Sequence, residues 1–129
     1  MKYLLDTHIF LWSLSNVSRL SSKVRDTIAS PQHKVYVSVV SAWEIAIKKG
    51  LGKLSVPDNM EEEIYRCGFS TLSVTFDQTE VLAALPQHHR DPFDRMLIVQ
   101  AMTDHLTLIT ADPMFKAYSV NLLFMNSQT

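Results

Sequence analysis

Short apolar runs alternate along the chain with segments whose apolar residues repeat at helical spacing. Runs that are rich in apolar and β-branched residues predict strands over residues 3–5, 35–39, 72–75, 106–110 and 120–125. Helical spacing predicts helices over residues 7–14, 21–28, 60–67 and 92–105. Strands that alternate with helices are typical of βαβ units, so we expect one parallel sheet with helices on both of its faces.

Two further helices are predicted from capping boxes, in which a side chain and an acid three residues later bond to unpaired N–H groups. One box, Ser41–Glu44, opens the helix of residues 45–49, and the other is Asp77–Glu80. Asp91, followed by Pro92, is predicted to cap the helix that begins there. That helix is apolar nearly all round, so we expect it to be buried.

Length and composition are those of a globular domain without disulfides. The 129 residues predict a single domain over residues 1–129, in which 47% of the residues are apolar and 19% are charged. The one cysteine, Cys67, excludes a disulfide framework and a multi-cysteine zinc site. Asp6 and His8 interrupt the apolar start, and no apolar stretch reaches the roughly 18 residues of a membrane span. We therefore expect a soluble protein of the reducing cytoplasm.

Four carboxylates are predicted to meet at one edge of the sheet. Ligands of a parallel sheet bind beyond the carboxyl ends of its strands, where the connections diverge. Asp6 ends the first strand, Glu44 follows the second and Asp112 follows the fourth. Asp94 begins a helix that leads back into the sheet, so it reaches this edge only if the preceding loop carries the chain there. Glu44 and Asp112 also have structural interpretations, because the first can close a capping box and the second can cap a helix start at Pro113.

A divalent cation removes the electrostatic cost of such a cluster, because unpaired carboxylates raise one another's pKa values. Carboxylate and water ligands suit Mg²⁺ or Mn²⁺. Zinc would require histidines, and His88 and His89 beside Asp91 form a conceivable cluster, but we expect both histidines at the surface or in a loop. The net charge of −1 neither requires nor excludes a polyanionic substrate.

The sequence lacks the motifs that several other classes of enzyme require. With only three glycines, the chain can form neither a dinucleotide-binding fingerprint nor a P-loop. It has no G-x-S-x-G segment that would present a nucleophilic serine. Trp12, Trp43 and the phenylalanines lie at apolar helical spacing, so we expect them in the core rather than as platforms for bases.

Several segments together resemble one known family. They are Leu4–His8, Ser41–Lys48, Gly52–Leu54, His89–Ala101 and Thr110–Asp112. In this order they resemble the PIN-domain nucleases, and more closely the VapC-type toxins of bacterial type II toxin–antitoxin systems, in the subgroup with an H-R-D-P-F-D-R segment. The resemblance covers essentially the whole chain. It implies a three-layer α/β/α sandwich on a parallel sheet of about five strands.

The resemblance also implies residue roles. Asp6, Glu44, Asp94 and Asp112 match the acidic quartet of the family. Three of these, Asp6, Asp94 and Asp112, are expected to bind the metal, some through water. Glu44 is expected as an outer ligand or as the base that positions a water.

Three further residues are expected behind the quartet. Asp91 belongs to the subgroup motif and is expected as a helix cap beside the ligands. Thr7 and Thr110 are expected to orient ligand carboxylates or a water. No histidine is required by this interpretation.

The implied reaction is the metal-dependent hydrolysis of RNA phosphodiester bonds. One or two Mg²⁺ or Mn²⁺ ions would polarise the phosphate, activate a water and stabilise the leaving oxygen. Single-stranded or loop RNA is the expected substrate, because unstacked bases can be read there. The family further implies a homodimer and a small antitoxin protein that covers the active site.

Two alternatives stay open. A haloacid-dehalogenase-like, Mg-dependent phosphohydrolase also has an Asp nucleophile at the end of its first strand. It normally needs a second acid two residues later, where this chain has His8. A catalytically inactive PIN-like module would act only by binding, although the intact quartet argues against it.

Overall fold

Hydrogen bonding divides residues 1–126, which the computed structural model describes, into five strands, six α-helices and two 3₁₀ turns. The strands are β1 (Lys2–Leu5), β2 (Lys34–Ser38), β3 (Ser70–Leu72), β4 (Thr107–Thr110) and β5 (Leu122–Phe124). The α-helices are α1 (Thr7–Ser15), α2 (Ser22–Ala29), α3 (Val39–Gly50), α4 (Met60–Arg66), α5 (Phe76–Ala84) and α6 (Pro92–Thr103). The 3₁₀ turns are Val17–Arg19 and Pro113–Ala117. The alternation of strands and helices predicted from the sequence is confirmed.

All five strands are parallel and lie in the order β3-β2-β1-β4-β5. Leu4 of β1 pairs with Tyr36 of β2, and Leu5 of β1 pairs with Ile109 of β4. The chain therefore builds outward from β1 to β3 and then crosses back to begin β4 on the other side of β1. The carboxyl ends of β1 and β4 flank the point where the connections diverge, which is where open α/β sheets bind ligands.

Alternate side chains of the strands pack on opposite faces of the sheet. Leu5 and Ile109 belong to a core that residues of α1, α2 and α4 complete. Leu4 and Leu108 belong to a second core, to which α5 and α6 contribute. The α6 helix is buried along the whole segment Met96–Ala101, as its apolar sequence predicted. These two cores make the predicted three-layer α/β/α sandwich.

The α3 helix begins earlier than predicted. Its cap is Ser38, whose hydroxyl accepts the N–H of Val40 at 3.0 Å, so the capping box predicted at Ser41–Glu44 is wrong. A cap at Ser38 lets the helix start directly at the end of β2, and Ser41 then lies buried inside the helix. The Glu44 side chain is consequently not used for capping.

The capping box of α5 is also displaced from its predicted position. Thr75 accepts the N–H of Gln78 at 3.2 Å, and the Gln78 side chain accepts the N–H of Thr75 at 3.0 Å. The box is therefore Thr75–Gln78 and not Asp77–Glu80. The earlier start of the helix places the buried side chain of Gln78 against α6. The β3 strand, predicted over residues 72–75, instead spans Ser70–Leu72, where it pairs with β2, and Thr75 at the end of the predicted strand is the cap of α5.

The α5 and α6 helices run antiparallel and bring the chain to the carboxyl edge of the sheet. Near the start of α5, Gln78 donates to Asp104, just past the end of α6, at 3.1 Å. At the other end, Arg95 in the first turn of α6 donates to the carbonyl oxygen of Leu85, just past α5, at 2.8 Å. Residues 86–91 then turn the chain into α6 at this edge. The loop before α6 therefore carries Asp94 to the carboxyl edge of the sheet, as the sequence required if Asp94 was to join the other acids.

Two aromatic side chains expected in the core lie at the surface. Trp43 is 61% exposed and Phe76 is 90% exposed. Trp43 of α3 packs edge-on against Phe93 of α6, with 4.9 Å between the ring centroids. Within residues 1–126, no helix is long and apolar enough to cross a membrane.

The revised cap of α5 gives a stability prediction. Thr75→Ala removes the side chain that accepts the Gln78 N–H, so we expect the free energy of unfolding to fall by about 1 kcal/mol. Asp77→Ala, at the position first predicted as the cap, should change it by less than about 0.5 kcal/mol. Urea unfolding of both variants measures the difference, and a larger loss for Asp77→Ala would restore the original box.

Candidate metal centre

The hydroxyl of Thr110 connects Asp6 and Asp112 at the ends of β1 and β4. Asp6 is 3% exposed and accepts this hydroxyl through Oδ2 at 2.6 Å. The same hydroxyl oxygen accepts the backbone N–H of Asp112 at 3.0 Å. Burial raises the pKa of Asp6 above its usual value, and the Thr110 hydrogen bond opposes that rise. Thr110 thus fixes the spacing of two acids on neighbouring strands.

Asp112 uses its two oxygens differently. Oδ1 accepts the backbone N–H of Met114 at 2.9 Å and so caps the 3₁₀ turn that starts at Pro113. Oδ2 lies 3.0 Å from Nε2 of His89. The structural interpretation of Asp112 as a cap is therefore confirmed, and it leaves the second oxygen directed at the cluster.

Asp94 lies in the first turn of α6, among the other acids. The pKa of Asp94 is raised to about 8, and burial is the largest cause of the rise. Four neighbouring carboxylates add to this rise, and in decreasing order of effect they are Asp6, Asp91, Glu44 and Asp112. The other three members of the predicted quartet, together with Asp91, therefore act electrostatically on Asp94.

Glu44 reaches the cluster from α3 and is only 4% exposed. Its Oε2 accepts a hydrogen bond from Lys48, one helical turn further on, at 2.9 Å. Its Oε1 is buried and has no hydrogen-bond partner among residues 1–126. A buried carboxylate oxygen without a partner is costly, so this position suits a cation or a water.

The three residues predicted behind the quartet have different contacts. Asp91 caps α6, since its Oδ1 accepts the N–H of Phe93 at 2.8 Å. The Thr110 hydroxyl contacts Asp6 as described above. The Thr7 hydroxyl lies 2.8 Å from the hydroxyl of Ser41, so it joins α1 to α3 rather than contacting an acid.

His89 is a member of the cluster that the sequence did not predict. It lies in the loop before α6, as expected, but its side chain is only 12% exposed. Its Nε2 lies 3.2 Å from Oδ2 of Asp94 and 3.0 Å from Oδ2 of Asp112. The available signal was its place at the start of the H-R-D-P-F-D-R segment. Local spacing could not show that the loop would fold across the end of β4.

The chemistry of the donor set fits a divalent cation. Nε2 of His89 and one carboxylate oxygen from each of Asp94 and Asp112 lie within 4.8 Å of one another. The unpartnered oxygen of Glu44 and the raised pKa of Asp94 both indicate crowded negative charge that a cation would relieve. Oxygen-rich donors are typical of Mg²⁺ and Mn²⁺ sites. An acidic group able to bind a metal is therefore present.

The raised pKa of Asp94 predicts how stability depends on pH. The folded state holds this proton up to about pH 8, whereas the unfolded state releases it near 3.8, so the free energy of unfolding falls as the pH rises between these values. Asp94→Asn cannot ionise and should stabilise the metal-free protein by about 1–2 kcal/mol at pH 8, with little effect at pH 4. Urea unfolding in EDTA at both pH values measures this. Asp26→Asn, at an exposed position, is the control, and equal effects of Asp94→Asn at both pH values would contradict the prediction.

Two solved structures share the fold. A chain of the structure of VapBC2 from Rickettsia felis, bound to a DNA fragment from their promoter, matches with a TM-score of 0.74 at 16% identity, over 98% of this chain and 100% of that chain. A chain of a toxin–antitoxin complex from Klebsiella pneumoniae matches with a TM-score of 0.64 at 20% identity, over 94% of this chain and 95% of that chain. At these identities the likeness shows the fold alone. No curated protein matches the sequence significantly.

A family model matches the sequence itself. It describes the PIN domain and covers residues 3–121, which include the four predicted acids and His89. The matched segment runs from β1 to just before β5 and so spans nearly all of the described fold. The chain therefore belongs to the PIN domain family.

Proposed function

We propose that this chain is a divalent-metal-dependent ribonuclease that hydrolyses RNA phosphodiester bonds, and that it is the toxin of a toxin–antitoxin pair. The observation that supports this most directly is the crowding around Asp94, whose pKa is raised to about 8 by burial and by neighbouring carboxylates. Such crowding destabilises the ionised fold, so a bound cation explains why it lies at the ligand-binding edge of the sheet. Membership of the PIN domain family supports hydrolysis as the reaction class.

The quartet divides into ligands and a water-positioning group. Asp6, Asp94 and Asp112 bind Mg²⁺ or Mn²⁺, some of them through water. Glu44, whose Oε1 has no partner among the described residues, is the outer ligand or the base that positions the attacking water. The bound cation supplies Lewis acidity toward the phosphate and makes a water easier to ionise.

Lys48 holds Glu44 in place. Its amino group donates to Oε2 of Glu44 at 2.9 Å, and this hydrogen bond raises the pKa of Lys48. Because the Lys48 ammonium occupies Oε2, Oε1 is left as the oxygen of Glu44 that can bind a water. Because the Lys48 side chain is 42% exposed, its charge also lies within reach of a phosphate approaching the site.

A cleft beside the acids suits single-stranded or loop RNA. It has a volume of about 260 Å³ and is lined in part by Asp6, Trp12 and Asp112. The guanidinium of Arg19 lies 4.3 Å from the centroid of the Trp12 ring. Trp12, which was expected only in the core, packs against the core and also lines this cleft, so its ring and the Arg19 guanidinium can contact an unstacked base and its phosphate.

The proposed protein partners follow from the comparisons and from the family resemblance. Both solved neighbours belong to toxin–antitoxin complexes, which supports a small antitoxin protein that covers the acidic site. We also propose that the chain forms a homodimer and acts in the cytoplasm. Its RNA substrate would be available in that compartment.

The two alternatives are less well supported. A haloacid-dehalogenase-like phosphohydrolase would need an acid where the chain has His8, and the His8 side chain is 61% exposed. The PIN domain match over residues 3–121 also favours a nuclease. An inactive binding module would have no use for the buried, crowded Asp94. Activity measurements separate these possibilities.

Cleavage of a mixed-sequence, single-stranded RNA with Mn²⁺ tests the proposed activity. We expect cutting that leaves 5′-phosphate ends, that stops in EDTA and that falls at least 100-fold in Asp94→Asn, because this variant loses a ligand. Asp26→Asn should cut like the wild type. Product ends are identified by their sensitivity to a 5′-phosphate-dependent exonuclease.

The outcomes of this assay point in different directions. Cutting that survives EDTA would overturn the metal mechanism. Release of phosphate from a phosphomonoester, without cutting of RNA, would favour the phosphohydrolase. Binding of RNA that is equal in the wild type and Asp94→Asn, without cutting by either, would favour the inactive module.

Metal binding should also stabilise the fold. At a Mn²⁺ concentration ten times its Kd, the free energy of unfolding should rise by about 1.4 kcal/mol, which corresponds to roughly 5 °C in Tm for a chain of this length. Thermal unfolding with and without Mn²⁺ measures the shift at pH 8. Asp94→Asn should show a much smaller shift, and a wild type that does not respond to millimolar Mn²⁺ would contradict the site.

A further inference from the structure

We propose that His89 is a positioning residue, which holds the Asp112 carboxylate beside Asp94 by donating the proton of its Nε2, and that it is not itself a metal ligand. The proposal rests on the metal site of the proposed function. It assigns a role to a histidine that the acidic quartet does not include. It also decides whether His89, beside Asp94 and Asp112, is a metal ligand or a hydrogen-bond donor.

Distances alone do not decide between a ligand and a hydrogen-bond donor. Nε2 of His89 lies 3.0 Å from Asp112 Oδ2 and 3.2 Å from Asp94 Oδ2. Neighbouring ligands of an octahedral cation with bonds near 2.1 Å are also about 3.0 Å apart. The question is therefore whether Nε2 offers a lone pair or a proton.

The other nitrogen of the ring answers this question. Nδ1 of His89 accepts the backbone N–H of Asp91 at 3.1 Å. A nitrogen that accepts a hydrogen bond has its lone pair there, so the proton of the neutral ring lies on Nε2. A histidine that binds a metal through Nε2 would instead carry its proton on Nδ1, where two N–H groups would face each other. The local backbone thus selects the donor tautomer.

The ring is held firmly in this orientation. The backbone N–H of His89 donates to the Tyr118 hydroxyl at 2.8 Å, and that hydroxyl donates to the carbonyl oxygen of Pro86 at 2.8 Å. The His89 ring also packs on the Phe115 ring, with 5.5 Å between the centroids. These contacts join the loop before α6 to the segment after β4, which is the segment that contains Asp112.

Both oxygens of Asp112 are then fixed. Oδ1 is bound to the N–H of Met114 and Oδ2 to the ring of His89. Each carboxylate oxygen has two lone pairs, so Oδ2 can accept the histidine proton and still bind a cation. Partners of this kind orient a ligand and typically change metal affinity by 10–100-fold when they are removed.

The tautomer can be read in the wild-type, metal-free protein without any substitution. Two-bond ¹H–¹⁵N correlation spectra of the histidine rings distinguish a protonated Nε2 from a protonated Nδ1. We expect His89 to show the Nε2–H tautomer, with His88→Gln and His89→Gln used to assign its signals. A ring with its proton on Nδ1 would overturn the proposal.

Mn²⁺ binding tests the positioning role and the exclusion of a direct bond. Calorimetry should show an affinity 10–100-fold weaker for His89→Ala than for the wild type. His89→Gln, whose amide N–H can replace the Nε2 proton, should recover most of that loss. His88→Gln changes an exposed histidine and should bind like the wild type. Electron spin echo spectra of the Mn²⁺ complex should show no strongly coupled ¹⁴N nucleus.

The outcomes separate this proposal from the one on which it rests. Mn²⁺ bound with a directly bonded nitrogen, or bound equally well by the wild type and a folded His89→Ala, would overturn the positioning role and leave the acidic site intact. A wild type that binds no Mn²⁺ would overturn the metal site and the role of His89 with it. If His89→Ala does not fold, the wild-type tautomer and the spin echo spectrum still decide.

Discussion

The repulsion between carboxylates at the carboxyl ends of β1 and β4 is the constraint on which the rest of this structure depends. Asp6 and Asp112 follow neighbouring strands, and Thr110 holds them at a fixed spacing. Glu44 and Asp94 reach the same place from α3 and α6, so the charge accumulates in a largely buried space. The fold tolerates this only because every carboxylate is either hydrogen-bonded or partly protonated in the absence of a cation.

Helix capping and the acidic site are combined in the same side chains. Asp6 caps α1 through Oδ1, which accepts the N–H of His8 at 3.3 Å, and it turns Oδ2 toward Thr110. Asp112 divides its oxygens in the same way between Met114 and His89. A capping bond fixes the rotation of a carboxylate, so the free oxygen has one direction. The structural and functional interpretations of these acids are therefore complementary.

The sequence predicted the features that depend on local spacing. Apolar runs located four of the five strands to within a few residues and met the fifth, β3, only at Leu72, and the Asp91–Pro92 pair located the start of α6. The capping boxes of α3 and α5 were misplaced by two or three residues, because several polar residues near each start could have served as the cap. Thr75 rather than Asp77 is the cap, because a start there allows Gln78 to bond to the end of α6. The local sequence gives no sign of this tertiary contact.

His89 was missed for a related reason, and Asp94 shows why the loop that contains His89 matters. The α6 helix cannot move Asp94 away from the other carboxylates, because the helix is buried along Met96–Ala101 and Arg95 is hydrogen-bonded to the carbonyl oxygen of Leu85. The charge on Asp94 must then be balanced from outside the helix. The loop before α6 supplies one hydrogen-bond donor, His89, and α3 supplies one cation, Lys48, which is bonded to Glu44. One lysine does not balance several crowded carboxylates, so a bound cation would supply the rest of the compensation, and the rigidity of α6 is itself a reason for the site to bind one.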